Sequence, residues 1–147
     1  MCLMRWQWVT LAILVCAMVG CGSGENLVTV TGKVVDGGAA VVIENYEEGG
    51  SCIELELIPL DDAGEPKGDA ETHYAIVAED STFVVDGNDG SGIPAGKYKV
   101  AAYRRGETED ENNDVWGGKF GPDNTPFAIE ANGTDEAVID ISKSPAG

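Results

Sequence analysis

Histidine is almost missing from this chain: His73 is the only one in 147 residues. A zinc site needs further Cys or His ligands, and Cys52 alone does not complete such a set. One histidine could still serve a Ser-His-Asp arrangement. However, no G-x-S-x-G elbow is present and no serine stands in an activating context. His73 therefore reads as a strand surface residue, and the chain as a non-enzyme. Basic residues are also scarce, at 9 Lys and Arg against 26 Asp and Glu, a formal net charge of −17. All the acidic residues and 8 of the 9 basic ones follow residue 20, so the remainder carries a charge near −18. Such a surface repels nucleic acid and anionic head groups, which excludes nucleic acid as a partner. Four cysteines look like a disulfide set but are not one. Cys2 and Cys16 lie within the first 20 residues, which read as an export signal, Cys21 directly follows them, and Cys52 is left without a second cysteine to pair with. Helical periodicity is also lacking, since nothing after residue 26 sustains a 3.6-residue apolar repeat.

The longest apolar run is short. Arg5 opens it, it extends from Trp6 to Val19, and Leu11-Ala12-Ile13-Leu14-Val15 is its centre. That length suits a signal segment and falls short of the roughly 20 residues a spanning helix needs. It ends in Met18-Val19-Gly20-Cys21-Gly22, which resembles the lipobox of bacterial lipoproteins, where small residues precede a cysteine that is diacylated and becomes the new first residue. By that resemblance residues 1–20 form a lipoprotein signal peptide, expected as a helix. Residues 21–26 are then the lipidated Cys21 and a flexible Gly-Ser-Gly tether, and residues 27–147 form the domain. Two acyl chains hold such a protein by burying methylenes at ~0.8 kcal/mol each. The expected location is the cell envelope, with the membrane as a partner through Cys21. Gly22 stands where enteric bacteria place an Asp for inner-membrane retention, which favours the outer membrane.

The remainder consists of short runs alternating with period two and separated by Gly, Asp, Asn and Pro. Val28, Val30 and Val34 share one face of 27–36, opposite Thr29, Thr31 and Lys33. Residues 40–45 form a short apolar run. Ile53, Leu55 and Leu57 alternate with Glu54 and Glu56, and Cys52 has the outward parity of the two glutamates. Further runs are 72–78, 82–86 with Phe83 and Val85, 97–104 with Tyr98, Val100 and Ala102, then 127–131 and 136–141. Between the last two, Asn132-Gly133 predicts a hairpin turn. Alternating faces leave one side of each sheet wet, so two sheets must bury their apolar sides together. The expected fold is all-β, a β-sandwich of seven or eight short antiparallel strands.

Several segments resemble a known family. Val30-Thr31-Gly32-Lys33-Val34-Val35-Asp36 and Glu79-Asp80-Ser81-Thr82-Phe83-Val84-Val85 look like strands of carboxypeptidase-regulatory-like, or transthyretin-like, domains. In the second segment Ser81-Thr82 replaces the family's usual glycine. Gly92-Ile93-Pro94-Ala95-Gly96-Lys97-Tyr98-Lys99-Val100 is similar to the family's G-x-P-x-G-x-Y-x-V turn and strand. The tail, Lys119-Phe120-Gly121-Pro122 followed by 125–129 and 137–141 as a final hairpin, resembles small planctomycete-type lipoproteins. The resemblance covers about residues 27–141. It implies an Ig-like sandwich without intrinsic catalysis, acting as an interaction or structural module whose partner is an envelope protein or glycan.

The remaining candidate residues lie in loops. Pro94 and Gly96 set a tight turn, and Tyr98 is expected to point inward with its hydroxyl on nearby backbone. Asp86, Asn88 and Asp89 crowd oxygen ligands into a Gly-rich loop that suits Ca²⁺, although Lys97 at the twelfth position excludes an EF-hand. Trp116 and Phe120 lie in the long acidic stretch 106–125. Exposed together they would contact a partner or sugar, and folded back they would cover an open end of the sandwich. Two functions thus compete: a lipid-anchored, non-enzymatic envelope module needing no cofactor, and a calcium- or carbohydrate-binding accessory module that uses the acidic loops and Trp116.

Overall fold

The computed structural model describes residues 24–47, 50–106 and 113–143. The apolar amino-terminal run, Cys21 and residues 107–112 lie outside the described residues. Ten strands follow in order: β1 Leu27–Val28, β2 Val30–Asp36, β3 Ala39–Ala40, β4 Ile53–Pro59, β5 His73–Val77, β6 Thr82–Val85, β7 Ile93–Pro94, β8 Gly96–Arg104, β9 Ala128–Ala131 and β10 Ala137–Asp140. Among the described residues there is no helix. The fold is all-β.

Period-two patterning builds the first sheet, ordered β5-β4-β8-β9 and antiparallel throughout. In β4, Ile53, Leu55 and Leu57 are fully buried while Glu54 and Glu56 lie on the other face. Opposite them in register stand Ala102 against Leu55 and Val100 against Leu57. The second sheet centres on β2, flanked by β10 and β6, with β3 pairing its far end. Val30, Val34, Phe83, Val85 and Ile139 of this sheet share one core with Leu55, Leu57, Val77, Tyr98 and Val100 of the first. Two apolar sheet faces are thereby removed from water together, the main stabilising term of such a fold. A short β1–β7 ladder stands apart from both sheets.

Four expectations need correction. The Asn132-Gly133 turn does not close a hairpin. Asn132 Oδ1 does accept the Thr134 N–H at 2.9 Å and the Asp135 N–H at 3.1 Å, so the chain turns there. It then changes sheets, because β9 pairs with β8 while β10 runs parallel to β2. The strands are therefore not all antiparallel; turn chemistry bends the chain but cannot specify which sheet the next strand joins. The 40–45 run pairs only through β3, and the residues after it are irregular, with Ile43 plugged into the core. Cys52 is not outward: Ser51, Cys52 and Ile53 are all buried in succession. Cys52 precedes the ladder, where alternation no longer holds, and its carbonyl accepts the Arg105 N–H at 2.9 Å. His73 is likewise buried rather than on a strand surface. In β5 it is Tyr74 and Ile76 that take the wet face, which turns His73, Ala75 and Val77 inward.

Ser81 adopts φ +70°, a region that disfavours residues carrying a Cβ. The compensation is visible. Ser81 is buried and its hydroxyl donates to the Val41 carbonyl at 2.7 Å, fastening the irregular segment that carries Ile43. Ser81→Ala keeps the backbone strain and strands that carbonyl, so its denaturation midpoint should fall by the equivalent of about 1–2 kcal/mol. Ser81→Gly removes bond and strain together and should remain closer to the wild type. The reverse order in urea titrations would refute this account.

Candidate functional site

The turn-and-strand Gly92 to Val100 builds one wall of a cleft at one end of the two sheets. Gly96 takes φ +156°, which a side chain would resist, and this lets the chain swing from β7 straight into β8. Tyr98, buried two residues on, sends its hydroxyl back to the Pro94 carbonyl at 2.7 Å. Burial raises its phenol pKa, with the Glu25 carboxylate adding to the effect; the hydroxyl thus remains a donor locked to backbone. Pro94, Gly96 and Tyr98 together shape this corner. The other walls come from neighbouring connections. The Leu60 N–H donates to the Lys97 carbonyl and the Lys67 N–H to the Pro59 carbonyl, each at 2.9 Å, drawing the 60–67 turn against β8. The Ala95 N–H donates to the Asn26 carbonyl at 2.8 Å, which seats the entering chain on the same corner.

The resulting space is about 600 Å³, within the range of small-ligand sites. His73 lines it from β5, beside the Tyr98 ring at a centroid distance of 6.1 Å. The Nδ1 of His73 is buried with no hydrogen-bond partner, which is uncommon for a polar atom in an interior. The rim carries both signs of charge, with Lys67 and Lys97 facing Glu25, Asp69, Glu71 and Asp89. No sequence motif points to this cleft, because its lining comes from stretches far apart in the chain, 25–27, 59–60, 67–73 and 87–98. The only local signals were the Gly92–Val100 turn and the lone histidine.

The Asp86–Gly92 loop borders the same cleft but does not assemble the expected calcium ligands. Asp89 Oδ1 accepts the Ser91 N–H at 3.0 Å and the Ser91 hydroxyl at 2.6 Å, bonds that hold its carboxyl below the usual range. Asn88 Nδ2 donates to Glu71 Oε1, and the Asp86 carbonyl accepts the Gly92 N–H at 2.6 Å. The Asp89 carboxylate and the Asp86 carbonyl thus serve the loop's own turn, and Asn88 ties the loop to Glu71. Among the described residues no group of three or more His, Cys, Asp or Glu is placed to hold a metal ion.

The aromatic pair is resolved as a cap rather than a platform. Phe120 is buried at 1% exposure, edge-on to Trp116 at 5.3 Å and packed on Phe127 at 5.1 Å. Phe120 therefore cannot present itself to a partner; only Trp116 retains a partly open side. Asp114, part of the acidic stretch, organises this cap. Its Oδ1 accepts the N–H groups of Arg104 and Trp116, and its Oδ2 that of Gly118.

Reading the sequence did not single out a polar cluster on the outer face of the first sheet. Tyr103 donates to Glu56 Oε2 at 2.7 Å, Arg105 Nε meets Glu54 Oε2 at 2.9 Å, and the guanidinium lies 4.9 Å over the Tyr103 ring. Burial first, and the Glu56 carboxylate second, push the Tyr103 phenol far above its ordinary pKa. Tyr74 is raised in the same direction by burial and the same two glutamates. These phenols are fixed as protonated donors, which suits a structural lattice and not proton abstraction. Cross-strand pairing of β4, β5 and β8 brings these residues together, and no linear spacing reveals it.

Comparison with protein-family models, with curated proteins and with solved structures finds no match to this chain.

Proposed function

We propose that this protein is an exported lipoprotein of the cell envelope: a non-enzymatic, Ig-like β-sandwich held at a membrane surface by acyl chains on Cys21, where it binds another envelope component. The observation that carries the reading is the apolar run from Trp6 to Val19, which stops at Gly20-Cys21 with β1 beginning only six residues later. The spacing leaves a tether long enough to clear the head groups and too short to let the domain wander from them. Gly22 after the lipid site favours the outer membrane. The non-enzymatic part rests on the lone histidine and the lack of an activated serine in the sequence. The Ig-like part rests on the resemblance of the Gly92–Val100 turn, together with the two sheets that share one core.

Mass spectrometry of the mature amino terminus tests the anchor. The expected result is a chain beginning at a diacylglyceryl-modified Cys21, and a Cys21→Ser variant that leaves the membrane fraction. An unmodified residue 21, or a signal segment still attached, would overturn the proposal.

A further inference from the structure

We infer that the cleft beside His73 binds a neutral, polyhydroxylated ligand of the saccharide class. This deepens the reading of the domain as a binding module, and it assigns the recognition to the opposite end of β8 from Trp116. The rim chemistry selects the class. Lys67 and Lys97 form no ion pair among the described residues, so two ammonium donors stand ready. Glu25 and Asp69 offer carboxylate acceptors across the same opening. An anionic ligand would meet four carboxylates on a chain of net charge −17. A cationic ligand would gain from the carboxylates but would leave the two ammonium donors unmet and face them with like charge. A hydroxyl both donates and accepts, so a ligand with several hydroxyls satisfies both kinds of group without carrying charge. Pro59, Leu60 and Pro94 supply an apolar wall for the C–H faces of a sugar ring. This combination of apolar wall and few convergent polar groups is what small-molecule sites present.

His73 supplies the second, independent observation. Its ring lines the cleft, its residue is 6% exposed, and its Nδ1 has no partner. The outer torsion of a histidine is soft, so a hydroxyl arriving in the cleft can satisfy this nitrogen by turning the ring. An unpartnered buried nitrogen is destabilising until it is met, and a ligand that meets it gains what the free protein forgoes.

His73 is the only histidine, so its ring protons give an unambiguous NMR signal in the full chain held in detergent. The probes are a panel of neutral hexoses and their disaccharides, with inorganic phosphate and putrescine as charged comparators. The expected result is a saturable shift of the His73 signal with at least one neutral sugar and none with phosphate or putrescine. Lys67→Ala with Asp69→Ala, two exposed rim changes that leave the core alone, should weaken that binding at least tenfold, while Trp116→Ala should leave it unchanged. The inference is overturned if no neutral sugar moves the signal, if a charged comparator moves it instead, or if the effect survives the rim double variant and disappears with Trp116. None of these outcomes bears on the Cys21 anchor, which mass spectrometry decides separately.

Discussion

Phe120→Ala should lower the stability of the domain by about 3–5 kcal/mol, the range for emptying a buried phenylalanine site. The loss is large against the roughly 5–15 kcal/mol that holds a domain of this size together. The reason is position. Phe120 fills the core at 1% exposure and touches Trp116 and Phe127. Its backbone is also tied in, with the Ala102 N–H donating to the Phe120 carbonyl and the Val100 N–H to the Phe127 carbonyl, both at 3.0 Å. Thr125 adds a buried hydroxyl bond to the Val100 carbonyl. The segment 120–127 thus continues the sheet edge beyond β9 along β8, and the aromatic ring is its anchor. Trp116→Ala, which removes a partly exposed ring, should cost about 1 kcal/mol, near the middle of the ordinary mutational range. Urea titration followed by circular dichroism separates the two. Equal effects, or a Phe120→Ala loss near 1 kcal/mol, would show that the cap is not part of the core.

Gly32→Ala should be the next most damaging single change, although it adds only one methyl group. Gly32 lies in the middle of β2, opposite Phe83 in the ladder. A Cβ built there would lie 2.4 Å from Phe83 Cζ and 2.5 Å from the Ala137 carbonyl oxygen. The first contact is a ring packed into the core and the second is the backbone of β10, so neither yields cheaply. Overpacking of this kind costs about 1–3 kcal/mol, and here it strains both neighbours of β2 at once. Phe83→Leu in the Gly32→Ala background should recover part of the loss, because it withdraws the ring while leaving the Ala137 clash. That non-additivity is expected of residues in contact. Wild-type-like unfolding of Gly32→Ala would mean that the β10–β2–β6 spacing is looser than described.

The strands were legible where alternation was strict. Ile53, Leu55 and Leu57, or Tyr98, Val100 and Ala102, announce both their conformation and their buried face, because period two follows directly from the pleat. Legibility ended where a side chain's surroundings are supplied by distant segments. Cys52 shares the parity of Glu54 but lies outside the ladder, so the rule no longer applied to it. His73 and Tyr74 offer comparable apolar bulk on the two faces of β5, and only the second sheet decides which is inside. Asp86, Asn88 and Asp89 have the composition of a cation loop, yet the Asp89 carboxylate is taken by Ser91, the Asp86 carbonyl by the Gly92 N–H, and Asn88 spends its amide N–H on Glu71. Phe120 sits in a stretch whose Gly and acidic content reads as solvent-facing loop, and local composition is blind to a single aromatic that reaches the core. The cleft was invisible for the same reason: its lining residues become neighbours only after both sheets have formed.

The pairing of β10 with β2 joins two strands far apart in the chain, with Lys33 bridging to Glu136 at 3.0 Å. A polypeptide emerging amino end first from a ribosome therefore has no way to finish this sheet until Glu136, 103 residues beyond Lys33, has emerged. β2 must wait with one edge unsatisfied, and long-range closure of this sort is slow. Delayed completion makes β10 the latch that sets the shape of the domain.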